Sequence, residues 1–96
     1  MDQTDDQDPS PRAPEPGTQE RIRRYVAVSF RDGRSEGLLP DTPLVSSGIV
    51  DSAGVLQLVE WLESAFGIAI PDEAVGIENF DSLRALARLV AELRAT

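Results

Sequence analysis

Apolar residues along this chain fall into three stretches with a helical period, separated by segments that have none. In the first, Ile22, Tyr25, Val26 and Phe30 share one face, and Arg21, Arg23, Arg24 and Arg31 lie largely off it. Thr18 or Gln19 is placed to cap its start, Glu20 suits the positive helix end, and Asp32-Gly33 stops it. The second stretch is the most regular. At about 100° per residue, Val55, Leu58, Val59, Leu62 and Phe66 form one stripe, with Ala53, Gln57, Glu60 and Ser64 opposite. Leu56 falls between the two, beside Glu60 and Glu63, so a half-exposed leucine is expected there. Gly67 ends this helix, and Ile68 is positioned to fold back onto Leu62. In the third stretch Leu83, Leu86, Leu89, Val90 and Leu93 face inward behind Asp81 as cap.

The remaining segments complete the layout. Ile68-Ala69-Ile70-Pro71 is too short for a useful strand, and Asp72-Glu73-Ala74-Val75 makes one helical turn capped by Asp72. Residues 33–51, with Gly37, Pro40, Pro43 and Gly48, have no sustained period. Structureless connections this long are uncommon in compact domains and are usually functional or disordered. Leu38, Leu39, Leu44, Ile49 and Val50 argue that this one is pinned to a core, with a turn at Pro40-Asp41-Thr42-Pro43. Residues 1–17 hold four prolines and no large apolar residue after Met1, so they cannot repay their ordering entropy and read as a tail. The expected architecture is an all-α bundle over residues 18–96, of three main helices and one short third helix, with a long first connection.

Composition narrows the chemistry. With 96 residues there is room for one small domain, and an apolar share of 41% is enough for its core. Cysteine and histidine are both absent. Thiol nucleophiles, imidazole acid–base chemistry, disulfides and nearly all transition-metal sites are thereby excluded. A carboxylate-based hydrolase is disfavoured as well, because no acid sits in an apolar setting. The expectation is a non-enzyme with no metal site. A net charge of -8 opposes encounter with nucleic acid or anionic membranes and favours a basic protein partner. No apolar run approaches the ~20 residues of a membrane span, and the N-terminus is acidic rather than signal-like, so a cytoplasmic monomer is expected.

What chemistry remains centres on Gly48-Ile49-Val50-Asp51-Ser52, where the long loop gives way to the second helix. Serine is itself a good N-cap, and capping is the simplest role for Ser52. Asp51 is an equally good cap one position earlier. If Asp51 caps, Ser52 is the first helical residue and its hydroxyl is spare, beside unpaired N–H groups suited to a phosphate-linked group.

Gly48-Ile49-Val50-Asp51-Ser52, followed by Val55-Leu56-Gln57-Leu58-Val59, Leu62-Glu63 and Phe66-Gly67-Ile68, resembles the acyl carrier protein family. The likeness spans about Thr18 to Leu93 and includes Ile70-Pro71-Asp72-Glu73 ahead of the short third helix. It implies that a transferase using coenzyme A attaches 4′-phosphopantetheine to Ser52, whose thiol then holds an acyl or aminoacyl group. The family's usual Asp-Ser-Leu occurs at Asp81-Ser82-Leu83 instead, but only about 14 residues follow it and the fold needs two more helices, so Ser82 reads as a cap-region serine. Ala53 and Gly54 replace the bulkier start of the family's second helix, giving a small, loosened first turn.

The resemblance implies a discrete carrier that passes cargo among a phosphopantetheinyl transferase, an adenylating or acyl-loading enzyme and a downstream synthase or transferase. Secondary metabolism of the polyketide or non-ribosomal peptide type is the first expectation. A D-alanyl or other aminoacyl carrier is the alternative, since those proteins share the Gly-Ile-x-Asp-Ser start. Asp51, Ala53, Leu56, Glu60 and Glu63 form the expected docking edge for a basic enzyme, with Trp61 packed against the loop. From another class stands an unmodified helical adaptor, supported by exposed Leu56 and the acidic surface.

Overall fold

The computed structural model describes residues 17–95. Four α-helices run in the order α1 (Thr18–Phe30), α2 (Ser52–Phe66), α3 (Ile77–Phe80) and α4 (Leu83–Arg94), with a 3₁₀ turn at Asp72–Ala74 ahead of α3. There is no strand among the described residues, and the all-α expectation stands. The expected tail lies outside the described residues except for Gly17, which is the N-cap of α1.

Each long helix buries the face its apolar period marks. Ile22, Val26 and Ala27 of α1, Leu58, Leu62 and Phe66 of α2, and Leu83, Leu86, Leu89 and Val90 of α4 enter one core with Phe80 of α3. Helix α4 packs against all three of the others and so forms the centre of the bundle. Full burial of each Val, Leu, Ile or Phe side chain among them contributes roughly 1.5–3 kcal/mol. Gly67 ends α2 in the left-handed region (φ 65°), and its N–H returns to the Glu63 carbonyl at 3.0 Å, as its sequence position requires.

Several local expectations are corrected. Thr18 and Gln19 lie inside α1, whose cap Gly17 brings no side-chain bond. The third helix is not at 72–75. That segment is a 3₁₀ turn begun by Pro71, with Asp72 as its first residue, and the α-helical turn follows at Ile77–Phe80, where Phe80 is fully buried. Asp81 does not cap α4. Ser82 does, its Oγ accepting the Ala85 N–H at 3.0 Å.

Asp81 instead fastens the long loop. One carboxylate oxygen, Oδ1, accepts the N–H groups of Leu44, Val45 and Ser46 at 3.1, 2.7 and 2.8 Å, and the other accepts the Ser46 hydroxyl at 2.8 Å. These bonds hold the Asp81 carboxyl below its ordinary range, the Ser46 N–H contributing most. Beside it, Arg84 of α4 forks onto Asp41 at 2.7 and 3.0 Å. From the opposite side, Arg23 of α1 donates to the Leu38 and Ser35 carbonyls at 3.0 and 3.1 Å. Leu38, Leu44 and Val50 are buried and Ile49 is half-buried, so the loop is pinned as expected. Leu39 departs from that reading: it is 63% exposed.

Candidate functional site

The junction of the loop with α2 is built from its last anchored residues. The Val50 N–H donates to the Leu44 carbonyl at 2.9 Å, and its side chain is fully buried. Gly48, at φ 88°, turns the chain just before, a backbone region that side chains rarely adopt. With the loop end fixed in this way, Asp51 follows in extended backbone and caps α2 by accepting the Gly54 N–H at 2.8 Å. Ser52 is therefore the first residue of the helix, exposed to solvent.

Its hydroxyl makes no hydrogen bond among the described residues, and neither the Ser52 nor the Ala53 N–H has an acceptor there. These are the donors that a helix start leaves unpaired, at the positive end of the dipole. A phosphate ester on this hydroxyl meets two donors, so the corner fits the group. Other loop serines differ. Ser46 Oγ donates to Asp81 at 2.8 Å, Ser47 Oγ donates to the Pro43 carbonyl at 2.7 Å, and Ser82 Oγ is committed to Ala85.

Gly54 explains the small first turn. A Cβ there would lie 2.8 Å from Phe30 Cε1, 3.1 Å from Val50 Cγ1 and 3.2 Å from Asp51 Oδ1. The residue is buried, so the turn is close-packed rather than loosened as its composition suggested. Gly54→Val is expected to cost about 2–3 kcal/mol through overpacking. Urea unfolding checks it, and an unchanged or raised midpoint would show that the contact is not limiting.

The sequence-predicted docking residues separate into two groups. Ala53, Leu56, Glu60 and Glu63 lie along one stripe of α2 that starts beside Asp51 and Ser52, and Leu56 is 66% exposed. Asp51, Ala53 and Glu60 are open to solvent. Glu63 is half-buried, and its Oε2 accepts the Ile70 N–H at 2.8 Å, tying the end of α2 to the chain beyond it. Trp61 stacks on Tyr25 of α1, with centroids 4.2 Å apart and planes at 11°, and meets Phe66 edge-on, a partnership the sequence did not suggest. No signal in the sequence pairs those two rings, 36 positions apart. Gln57 on the same helix reaches the Tyr25 hydroxyl at 2.9 Å, which fixes the stack further.

A family model described as a phosphopantetheine attachment site matches residues 20–90. The chain belongs to the acyl and aminoacyl carrier protein family. Among its relatives, a probable acyl carrier protein, PigG, of Serratia sp. is 32% identical over 75 residues, covering 78% of this chain and 86% of the relative. A D-alanyl carrier protein of Streptococcus suis is 31% identical over 74 residues, covering 77% of this chain and 91% of the relative. A D-alanyl carrier protein of Streptococcus thermophilus is 33% identical over 54 residues, 56% of this chain and 68% of the relative. The cofactor of this carrier protein is 4′-phosphopantetheine. The matched range contains both Ser52 and Ser82, and of the two hydroxyls that of Ser82 is engaged with the Ala85 N–H. No helix among the described residues is long and apolar enough to cross a membrane.

Proposed function

We propose that Ser52 is the attachment point of the arm, and that the carrier presents acyl cargo to enzymes of secondary metabolism of the polyketide or non-ribosomal peptide type. The observation that carries this is the spare Ser52 hydroxyl, exposed on a helix start whose capping Asp51 already performs. When bound, 4′-phosphopantetheine supplies a thiol that this cysteine-free chain lacks, and with it a thioester link to cargo. Asp51 holds the corner rigid while the Ser52 and Ala53 N–H groups accommodate the phosphate charge. The stripe of Ala53, Leu56 and Glu60, with Asp51 and Glu63 at its ends, offers one apolar anchor among acids to a basic partner, first the transferase and then loading and acceptor enzymes. Rate enhancement comes from raised local concentration and orientation rather than from bond chemistry by this chain.

An aminoacyl cargo is the second reading, favoured by the likeness to D-alanyl carriers over 91% of one relative's length. Intact mass after incubation with coenzyme A and a broad-range phosphopantetheinyl transferase tests attachment, and fragmentation locates it. One arm on the peptide bearing Ser52 is the expected result. An arm found on any other peptide, or no gain on the peptide bearing Ser52, overturns the assignment of Ser52. Parallel loading trials with D-alanine and with short acyl donors then decide between the two cargoes.

A further inference from the structure

The first turn of α2, Ser52-Ala53-Gly54, has little of its own to hold it in place. Its first two side chains are small and exposed, and its third residue is glycine, which loses more backbone freedom on folding than any other residue. Gly54 is nevertheless buried, and what covers it is Phe30, the last residue of α1. The place a Cβ would take on Gly54 lies 2.8 Å from Phe30 Cε1, 3.1 Å from Val50 Cγ1 and 3.2 Å from Asp51 Oδ1. The end of α1, the last buried residue of the loop and the cap of α2 thus converge on one bare stretch of backbone. The Phe30 ring is itself braced. Tyr25 meets it edge-on, with centroids 6.3 Å apart and planes at 81°, and Tyr25 is held by the Trp61 stack and by Gln57. Trp61 and Gln57 belong to α2, so this helix supports, through two rings of α1, the residue that covers its own first turn.

Ser52 stands two residues before Gly54, and the Asp51 carboxylate that caps the helix is bonded to the Gly54 N–H. Whatever fixes Gly54 therefore fixes the cap and the turn together. We propose that Phe30 is a positioning residue for arm attachment: by seating Gly54 it orders the turn that presents Ser52 Oγ and the Ser52 and Ala53 N–H groups. The inference rests on Ser52 as the attachment point. Attachment joins Ser52 Oγ to the phosphorus of the arm as the pyrophosphate link of coenzyme A breaks, with the nucleotide leaving and the hydroxyl proton released. Such a displacement depends on where the attacking oxygen is held, and a misplacement of about 1 Å can cost on the order of 100-fold in rate. Glycine at 54 is the other half of the device, since any Cβ there pushes against the ring and against the capping carboxylate.

Attachment kinetics and amide exchange of the full chain test this together. With coenzyme A and a broad-range phosphopantetheinyl transferase, Phe30→Ala is expected to lower kcat about ten-fold and to leave KM for the carrier within about two-fold, because the Leu56–Glu60 stripe is untouched. Phe30→Tyr keeps the ring edge and is expected to retain the parent's kcat. Gly54→Ala is expected to lower kcat about five-fold, and adding Phe30→Leu, which removes Cε1, to bring it back to within about two-fold of the parent. The Gly54 and Val55 N–H groups both bond to Asp51, and in Phe30→Ala their exchange should quicken about ten-fold beyond any change at the buried amides of α4, which report global opening. The parent's kcat in a folded Phe30→Ala chain overturns the proposal, as does a loss carried by KM alone. Additive losses in the Gly54→Ala, Phe30→Leu pair overturn it too, and so does exchange at Gly54 and Val55 that only follows α4. An arm mapped in the parent to a peptide without Ser52 overturns the Ser52 reading instead, and the exchange measurement still decides whether Phe30 orders the turn.

Discussion

Ser52→Ala is expected to abolish arm attachment completely, whereas Ser82→Ala is expected to leave the extent of attachment unchanged. The contrast follows from what the two hydroxyls already do. Ser82 Oγ accepts the Ala85 N–H and is half-buried at the α3–α4 corner, so its loss removes a cap and costs about 1 kcal/mol of stability. Ser52 is exposed, its oxygen has no partner among the described residues, and Asp51 continues to cap α2 when it is gone. Ser52→Ala should therefore shift the unfolding midpoint far less than Ser82→Ala while removing the whole mass gain. Intact mass and urea unfolding on the same two variants separate the effects. Loss of the mass gain in Ser82→Ala alone would move the site to the last helix and leave the family assignment untouched.

The same pair shows what local sequence signals can and cannot reach. Asp-Ser-Leu at 81–83 matches the family's usual pattern, but the match is of letters and not of position in the fold. Three helical periods, the Gly67 stop and the buried Leu38, Leu44 and Val50 were legible, because each rests on spacing within a few residues, whereas the choice of cap between Asp51 and Ser52 stayed open until the structure gave it to Asp51. Helix α3 was not legible, since one turn with a single buried Phe80 has too short a period to register. Nor were the contacts that join distant segments. The requirement for glycine at 54 comes from Phe30 on another helix, and the Tyr25–Trp61 stack from two helices that the chain alone does not bring side by side. At the candidate site the hydroxyl was readable as a candidate, but that Asp51 rather than Ser52 caps the helix was not. That Glu63 is partly committed to Ile70 was not, because the bond depends on how the chain turns after Gly67.

Asp81 is the largest of these long-range surprises, and its removal is expected to have the largest effect on stability. Its carboxylate accepts three consecutive loop N–H groups and the Ser46 hydroxyl across 35 to 37 positions of sequence. Charge-assisted bonds of this kind contribute roughly 1.5–3 kcal/mol each at best, and partial solvent contact here favours a lower total. Asp81→Ala also strands the donors of a loop that carries Leu44 and Val50 into the core, so a loss of about 2–4 kcal/mol is expected. For a domain of this size that lowers Tm by about 10–30 °C. Asp81→Asn keeps an accepting oxygen and should lose about half as much. The pH dependence has a definite sign. The folded-state pKa of Asp81 lies below its unfolded value, so its contribution is complete above the ordinary carboxylate range and drains away as pH falls through the folded pKa. Thermal unfolding of parent and Asp81→Asn should therefore differ at neutral pH and converge under acid conditions. The loop that Asp81 fastens ends at Val50, which places Asp51 and Ser52, so arm attachment to Asp81→Ala should slow even at temperatures where the variant is folded. Attachment at the parent's rate in a folded Asp81→Ala chain would show that the start of α2 is positioned without the loop.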